Sequence, residues 1–267
     1  MIPSDFYFED TVVDFYQNSN EVEVFTHEFI CNILPEIDNR TVLSWLDVGI
    51  GNGEKIAKII PYISNEINLT FLEPSNSWVN ELILTGNLDV IKGKTTAVGH
   101  YKTFEEFMNQ KENCFDLISF IHVLYNKKIV DSLFSFIDNK MNITNFSLLI
   151  NVETENNDLS KIRKKLNDSK WYSPISQLPY IKEQLRKRHI KYVEYVSEGK
   201  ILDVNIEDVI NNENHWIYPL ILGVSKKEYA TKIKNTNIIN AIKEELSKIK
   251  NINIEDVTLF SKSINHE

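Results

Sequence analysis

A glycine-rich segment in the first quarter of the chain constrains the fold more than any other feature. It reads Leu46-Asp47-Val48-Gly49-Ile50-Gly51-Asn52-Gly53-Glu54 and follows an apolar run over residues 42–46. A helix-like stretch over residues 54–60 comes after it. Strand, glycine turn and helix in this order are typical of a nucleotide-binding corner, because glycines let the backbone turn tightly and approach a ligand closely. The first turn of the helix then offers N–H groups to polar ligand atoms.

The spacing of the glycines indicates which nucleotide is bound. A dinucleotide motif, G-x-G-x-x-G, has its third glycine three positions after the second, where this chain has Glu54. A carboxylate there would repel a pyrophosphate, whereas the ammonium and sulfonium groups of S-adenosylmethionine are cationic. The D-x-G-x-G-x-G pattern therefore resembles the first motif of class I (Rossmann-like) S-adenosylmethionine-dependent methyltransferases. The alternative is a tight turn with a purely structural role.

Composition narrows the classes of partner. The 267 residues carry a net charge of −9, which argues against a general nucleic-acid binder and is compatible with a cationic substrate. The two cysteines, Cys31 and Cys114, indicate neither a disulfide framework nor a zinc cluster, so we expect no metal site. The N-terminal segment lacks a signal-peptide pattern, and the longest apolar stretch, residues 217–224, is too short to span a bilayer. We therefore expect a cytoplasmic protein without membrane contact.

Strand-like and helix-like segments alternate through the first part of the chain. Strands are predicted at residues 42–46, 68–72, 88–91, 115–121 and 146–152, and Thr103 to Glu106 forms a capping box at a helix start. This alternation predicts an α/β, doubly wound, mostly parallel sheet. The resemblance implies seven strands, the last two (191–196 and 257–264) forming a hairpin whose final strand is antiparallel.

The same resemblance implies a single methyltransferase domain over residues 1–267. It comprises an N-terminal helical cap (1–40), the core of the cofactor-binding sheet (41–198), a helical insertion or lid (199–256) and the final strand (257–267).

Candidate cofactor-binding residues follow the strand ends. Glu73 ends the second strand, where a carboxylate can accept both ribose hydroxyl hydrogens; otherwise it is an exposed acid. Asp47 would orient the glycine loop or contact the cofactor ammonium through water. Thr96, placed after the predicted third strand, and Ile121, at the carboxyl end of the fourth, would contact the adenine, although Ile121 is equally typical of a core residue. With these four we predict three glycines as cofactor-binding residues: Gly49, Gly51 and Gly53.

A closer resemblance, to the histamine N-methyltransferase subgroup of this class, rests on short segments in the same order along nearly the whole chain. These are Tyr7-Phe8-Glu9, Asn18-Ser19-Asn20-Glu21, Leu34-Pro35, Glu73-Pro74-Ser75, Phe120-Ile121-His122-Val123-Leu124-Tyr125, Asn212-Glu213-Asn214 and Leu259-Phe260. The resemblance implies that an amine binds between the methyltransferase core and the helical cap.

Carried over to this chain, the resemblance assigns the acceptor site. Glu21 matches the substrate-binding carboxylate, His122 falls where the subgroup has a glutamine beside the reacting nitrogen, and Tyr125 matches an aromatic wall residue. Glu21 would hold a cationic tail and His122 would accept the leaving proton. Phe15 and Tyr16 would shelter a cation through their ring faces.

The chain departs from the subgroup at positions that matter for the substrate. Its paired tryptophans are Leu159 and Arg163 here, and its C-terminal asparagine contact is Lys262. A lysine near the amine would disfavour a cationic acceptor and suit a carboxylate-bearing one. Trp171, Tyr172, Trp216 and Tyr218 are candidates to rebuild the pocket walls.

The sequence thus predicts a methyltransferase that uses S-adenosylmethionine, releases S-adenosylhomocysteine and methylates a small molecule, at the nitrogen of an amine. O-methylation of a hydroxylated metabolite remains an alternative, because His122 would equally deprotonate a hydroxyl. A second alternative is a non-catalytic module that binds S-adenosylmethionine and a partner protein. A nicotinamide dehydrogenase is disfavoured by Glu54. The acceptor's identity and the oligomeric state stay open.

Overall fold

Seven strands form one sheet within the residues that the computed structural model describes, which are 9–37, 41–108, 114–140, 146–168, 177–233 and 236–264. The strands lie in the order β3-β2-β1-β4-β5-β7-β6. Their bounds are β1 (Val42–Val48), β2 (Glu66–Leu72), β3 (Thr95–His100), β4 (Leu117–Ile121), β5 (Phe146–Glu153), β6 (Val193–Lys200) and β7 (Asn253–Ile264).

The sheet is mostly parallel, with one antiparallel hairpin. Strand β1 pairs in parallel with β2 and with β4, so that Val48 lies between Leu72 and Phe120 at the carboxyl edge. The strand order reverses between β1 and β4, which is where ligands bind in open α/β sheets. The prediction of a doubly wound, mostly parallel, seven-stranded sheet is confirmed.

Helices connect most of the strands. They are α1 (Glu9–Gln17), α2 (Glu21–Glu28), α3 (Leu34–Ile37), α4 (Glu54–Ile59), α5 (Asn76–Leu84), α6 (Asn87–Lys94), α7 (Phe104–Met108), α8 (Lys127–Lys140), α9 (Asp158–Asp168), α10 (Leu178–Lys187), α11 (Ile206–Asn211), α12 (Ile217–Leu222), α13 (Lys226–Glu228) and α14 (Thr236–Leu246). Across the described segments, none combines the length and apolar character that a membrane-spanning helix requires.

Local sequence signals explain several helix starts. The Ser75 side chain accepts a hydrogen bond from the Trp78 N–H at 3.3 Å and so caps α5. At α7 the predicted capping box is confirmed: the Thr103 N–H donates to the Glu106 carboxylate at 2.8 Å, and the Glu106 N–H donates to the Thr103 hydroxyl at 3.3 Å.

The predicted third strand, residues 88–91, is wrong, because those residues lie in helix α6. Leu88 and Ile91 are three positions apart, as on one face of a helix, and Ile91 is fully buried. The actual strand, β3, lies at the edge of the sheet and contains exposed residues such as Thr96 and Val98. An edge strand therefore lacks the continuous apolar run that marks buried strands such as β4.

The chain divides into two compact units. The first comprises Met1–Val24, Glu153–Ile175 and Glu198–Glu255, and the second Phe25–Val152, Ser176–Ser197 and Asp256–Glu267. Residues 1–8 and 169–176, which include Tyr7, Phe8, Trp171 and Tyr172 from the sequence analysis, lie outside the described residues.

Each unit has its own apolar core. In the second unit Leu46 and Val48 of β1 belong to one cluster and Leu43 and Trp45 to another. Alternate residues of a strand point to opposite faces, so the sheet has a buried cluster on each side. In the first unit the core consists of buried residues such as Tyr218, contributed mainly by α9, α11, α12 and α14.

Candidate functional site

The glycine loop between β1 and α4 is held closely against its neighbours. Gly49, Gly51 and Gly53 have φ angles of 74°, 58° and 74°. The Gly49 N–H donates to the Leu72 carbonyl at 2.8 Å, and a Cβ on Gly49 would lie 2.2 Å from Cγ1 of Val123. Only glycine allows this approach of the loop to the segment that follows β4.

The middle of the loop, in contrast, faces open space. A Cβ on Gly51 would have no heavy atom within 4 Å. The Gly51 N–H donates to Oε2 of Glu73 at 2.9 Å. A ligand can therefore approach the backbone at Gly51 directly above a carboxylate.

Glu73 joins the glycine loop to the turn after β2. Its second oxygen, Oε1, accepts the Ser75 N–H at 2.9 Å, and its side chain is buried among these partners. Its own N–H donates to the His100 carbonyl at 3.1 Å. Because each carboxylate oxygen has two lone pairs, Glu73 retains capacity to accept hydrogen bonds from ligand hydroxyls.

Asp47 lies beneath the loop in a chain of buried hydrogen bonds. The Trp45 indole N–H donates to Oγ of Ser119 at 2.7 Å, and that hydroxyl donates to Oδ1 of Asp47 at 2.5 Å. Burial raises the pKa of Asp47 to about 7; the Ser119 hydrogen bond lowers it and the charge of Glu73 adds to the increase. A cation bound here would favour the ionised form of Asp47.

His122 follows β4 directly in a conformation that few non-glycine residues adopt, with a φ of 55°. Its N–H donates to the Asn151 carbonyl of β5 at 2.9 Å. Its Nε2 lies 3.2 Å from Oδ2 of Asp256 on β7, and both side chains are buried, with exposed fractions of 8% and 4%. Backbone strain at such a position is a feature of functional sites.

A second acidic side chain of this unit lies near Asp256. Burial raises the pKa of Glu28, and the charge of Asp256 raises it further. The hydroxyls of Thr258 and Ser197 and the charge of Lys55 offset part of that increase. Burial and the charge of Asp256 therefore both favour the protonated form of Glu28.

Most of the sequence-predicted cofactor residues meet at the carboxyl edge of the sheet. Asp47 and Glu73 lie at the ends of β1 and β2, with the three glycines between β1 and α4. Ile121 ends β4 and is buried, and Tyr125, half-buried, precedes α8.

Two predicted residues are not brought to this edge. Thr96 is the second residue of β3, is exposed and pairs with Asn68, so it lies at the opposite, amino edge and does not follow a strand. Lys262 forms an exposed ion pair with Glu36 at 2.7 Å. At about 3.3 Å per residue, it lies roughly 20 Å along β7 from Asp256, so the expected lysine is not beside His122.

Three predicted acceptor-site residues belong to the first unit. Phe15 and Tyr16 lie in α1 with their ring centroids 5.7 Å apart, and Phe15 packs against the core of that unit. Glu21 begins α2 and is buried. The Glu21 carboxylate is thus removed from solvent.

Leu159 and Arg163, which we expected from the resemblance to stand where the subgroup has tryptophans, have structural roles in the first unit. Leu159 is part of its core. Arg163 is buried, and its Nη1 donates to both carboxylate oxygens of Glu153 at 3.0 and 2.9 Å. Its Nη2 donates to the Leu220 carbonyl at 3.1 Å, so the guanidinium fixes α12 to α9.

Two residues of the site were missed from sequence. Asp256 precedes the apolar run of the final strand, where an acid resembles any polar strand start. His100 ends β3, which was wrongly located; its ring lies 5.2 Å from that of Phe107, and burial, followed by the charge of Lys102, lowers its pKa. A correct placement of β3 would have identified His100 as a residue of the carboxyl edge.

Comparison with solved structures agrees with this architecture. The YcgJ protein from Bacillus subtilis superposes with a TM-score of 0.53 and 13% identity, over 90% of this chain and 99% of that one. A cyclopropane-fatty-acyl-phospholipid synthase-like protein from Lactobacillus casei also gives a TM-score of 0.53, with 11% identity, over 90% and 91%. The chain has the Rossmann-like fold of the class I methyltransferases.

A third solved structure, the plantazolicin methyltransferase BamL in complex with a triazolic desmethylPZN analog and SAH, has a TM-score of 0.48 and 14% identity, over 95% of this chain and 90% of that one. No protein-family model and no curated protein sequence matches the chain.

Proposed function

We propose that this protein is an S-adenosylmethionine-dependent methyltransferase that methylates a small molecule at the nitrogen of an amine. The observation that carries the proposal is the hydrogen bond from the Gly51 N–H to Glu73 beside the buried Asp47. It gives an open backbone turn that is bonded to one carboxyl side chain, Glu73, and has a second, Asp47, buried nearby. This donor and acceptor set suits a cofactor with ribose hydroxyls and cationic groups and disfavours a pyrophosphate.

The residues at the carboxyl edge fit the parts of this cofactor. Glu73 would accept the ribose hydroxyl hydrogens, Asp47 would attract the ammonium group, and the open backbone at Gly51 would allow close approach. When bound, S-adenosylmethionine supplies a methyl group activated by its sulfonium. The chain's own contribution is to orient the acceptor and to remove its proton.

His122 is the residue we assign to that proton. An amine arrives largely protonated, and its nitrogen becomes a nucleophile only after the proton has left. An imidazole beside the carboxylate of Asp256 can take up a proton, because the carboxylate stabilises the resulting cation. Tyr125 and, by resemblance to the histamine N-methyltransferase subgroup, Glu21 would position the acceptor.

O-methylation is the second candidate, and the His122–Asp256 pair is the observation that favours it. An imidazole next to a buried carboxylate is also suited to deprotonating a hydroxyl group. The two reactions differ in their acceptor, so a panel of amines, phenols and alcohols with labelled S-adenosylmethionine distinguishes them. Turnover of amines alone supports the proposal, and turnover of hydroxyl compounds alone selects the second candidate.

Cofactor binding is tested separately by titration calorimetry with S-adenosylhomocysteine. We expect Asp47→Ala and Glu73→Ala to weaken binding about 10-fold or more, since each removes a polar contact worth roughly 1.5–3 kcal/mol. Glu66→Ala is the matched control, because Glu66 is an exposed acid at the opposite end of β2. Equal affinity in all four proteins contradicts the assigned roles. Binding without turnover of any acceptor would favour the non-catalytic module.

A further inference from the structure

The His122–Asp256 pair carries a second inference, which rests on the proposed function. Asp256 lies on the last strand, is buried, and holds Oδ2 at 3.2 Å from the imidazole Nε2. Its other oxygen, Oδ1, is buried and has no hydrogen-bond partner among the described residues. Burying a carboxylate in this way destabilises the folded protein unless its charge is compensated by a cation or by hydrogen bonds.

The surroundings of the pair make a purely structural role a poor explanation. Within the second unit, Glu28 of α2 is a further buried acid whose charge interacts with that of Asp256, and Lys55 of α4 interacts with Glu28. Glu28 is also acidic, so Asp256 adds negative charge where burial and a like charge already oppose it. An arrangement selected for stability alone would favour an apolar side chain at this position.

We infer that Asp256 is a positioning residue that acts through His122. As the proton leaves the acceptor nitrogen, its bonding electron pair stays on that nitrogen and the proton binds the imidazole. The imidazolium then forms an ion pair with the Asp256 carboxylate, so that the two side chains together carry no net charge. The carboxylate also fixes the orientation of the imidazole ring. The backbone of His122 is already held in place, because its N–H donates to the Asn151 carbonyl.

The test compares Asp256→Asn with the wild type in two measurements. In the first, nuclear magnetic resonance of ¹⁵N-labelled histidine near neutral pH gives the protonated fraction of His122. Its signal is assigned by its absence in His122→Ala, since the chain has six histidines. We expect the protonated fraction to fall severalfold in Asp256→Asn, because an adjacent carboxylate stabilises the cation.

The second measurement is steady-state kinetics with the best acceptor. We expect kcat to fall about 10- to 100-fold in Asp256→Asn, while the KM for the acceptor and the affinity for S-adenosylhomocysteine change less than threefold. Asp256→Glu keeps the charge and should recover part of kcat. A loss confined to stability would leave kcat unchanged in the folded fraction.

Asp158→Asn is the matched control. Asp158 is another buried aspartate whose carboxylate accepts hydrogen bonds from β7, namely from the N–H and Nδ2 of Asn253 at 2.9 and 3.1 Å. It has a structural role, so we expect its variant to melt at a lower temperature with the His122 signal unchanged.

An unchanged His122 protonated fraction in Asp256→Asn overturns the inference, even when methyl transfer is confirmed. Conversely, if the wild type methylates no acceptor, the proposed function fails, and the magnetic resonance measurement still decides whether Asp256 controls His122. If Asp256→Asn does not fold, Asp256→Ser replaces it, and a His122 protonated fraction equal to that of the wild type again overturns the inference.

Discussion

Replacing Asp47 with Asn is expected to stabilise the protein while weakening its affinity for the cofactor. Burial raises the pKa of Asp47 from 3.8 to about 7, so the folded state holds a proton that the unfolded state has already lost. Stability therefore falls as pH rises from about 4 to about 7, by about 1.4 kcal/mol per pH unit. Above pH 7 the accumulated penalty is about 4 kcal/mol, and Asp47→Asn removes it.

The assay is urea unfolding of both proteins near pH 5 and near pH 8. The free energy of unfolding of Asp47→Asn should exceed that of the wild type by about 2–3 kcal/mol more near pH 8 than near pH 5, which corresponds to roughly 5–10 °C in Tm. Any change in hydrogen bonding by the amide is the same at both pH values and cancels in this comparison. Asp89→Asn, at an exposed position of α6, is the control. An advantage of equal size at the two pH values would refute the reasoning.

Three further variants test the packing of the site and of the first unit. Both Gly49 and Gly51 have positive φ angles, but only at Gly49 would a Cβ meet a side chain, that of Val123 at 2.2 Å. We therefore expect Gly49→Ala to lower the melting temperature more than Gly51→Ala does, and equal melting temperatures would contradict this. Ser119→Ala leaves the buried Trp45 indole N–H without its acceptor and should cost about 1–3 kcal/mol in urea unfolding, so a neutral result would contradict the hydrogen-bond chain. Arg163→Met removes the guanidinium that pairs with the partly buried Glu153 carboxylate, and we expect the free energy of unfolding to fall by about 3 kcal/mol or more; a more stable variant would mean that apolar packing outweighs the ion pair.

The fold could be predicted largely because its signals are local. The glycine loop has its required left-handed angles, and β4 and β5 have the continuous apolar runs of buried parallel strands. Strand β3 could not be found in this way, since an edge strand is only half covered. The short apolar pattern over residues 88–91 fits a helix as well as a strand, and packing of Ile91 decides between them.

The candidate site was less accessible from sequence because its side chains meet through long-range pairing. His122 could be placed from the end of β4, but its partner Asp256 belongs to a strand that inserts beside β5 after a long excursion of the chain. Nothing in the local pattern marks Asp256 or indicates that Lys262, on the same strand, points to a surface ion pair with Glu36. Sequence therefore identified the residues at the ends of the strands it located correctly, and it missed His100 on the wrongly located β3 and Asp256, whose position depends on strand order.

The two hydrogen bonds that Glu73 accepts restrict which side chains can replace it. Its two oxygens each accept a backbone N–H, from Gly51 and from Ser75, before any ligand arrives. Glutamine has the same shape, yet its amide NH₂ would face one of those N–H groups, donor against donor. Aspartate keeps the charge but is shorter by one methylene and cannot span the same two turns. In a saturation library screened for folding alone, without cofactor, glutamate should still be enriched at this position, which distinguishes it from a residue retained only for its ligand.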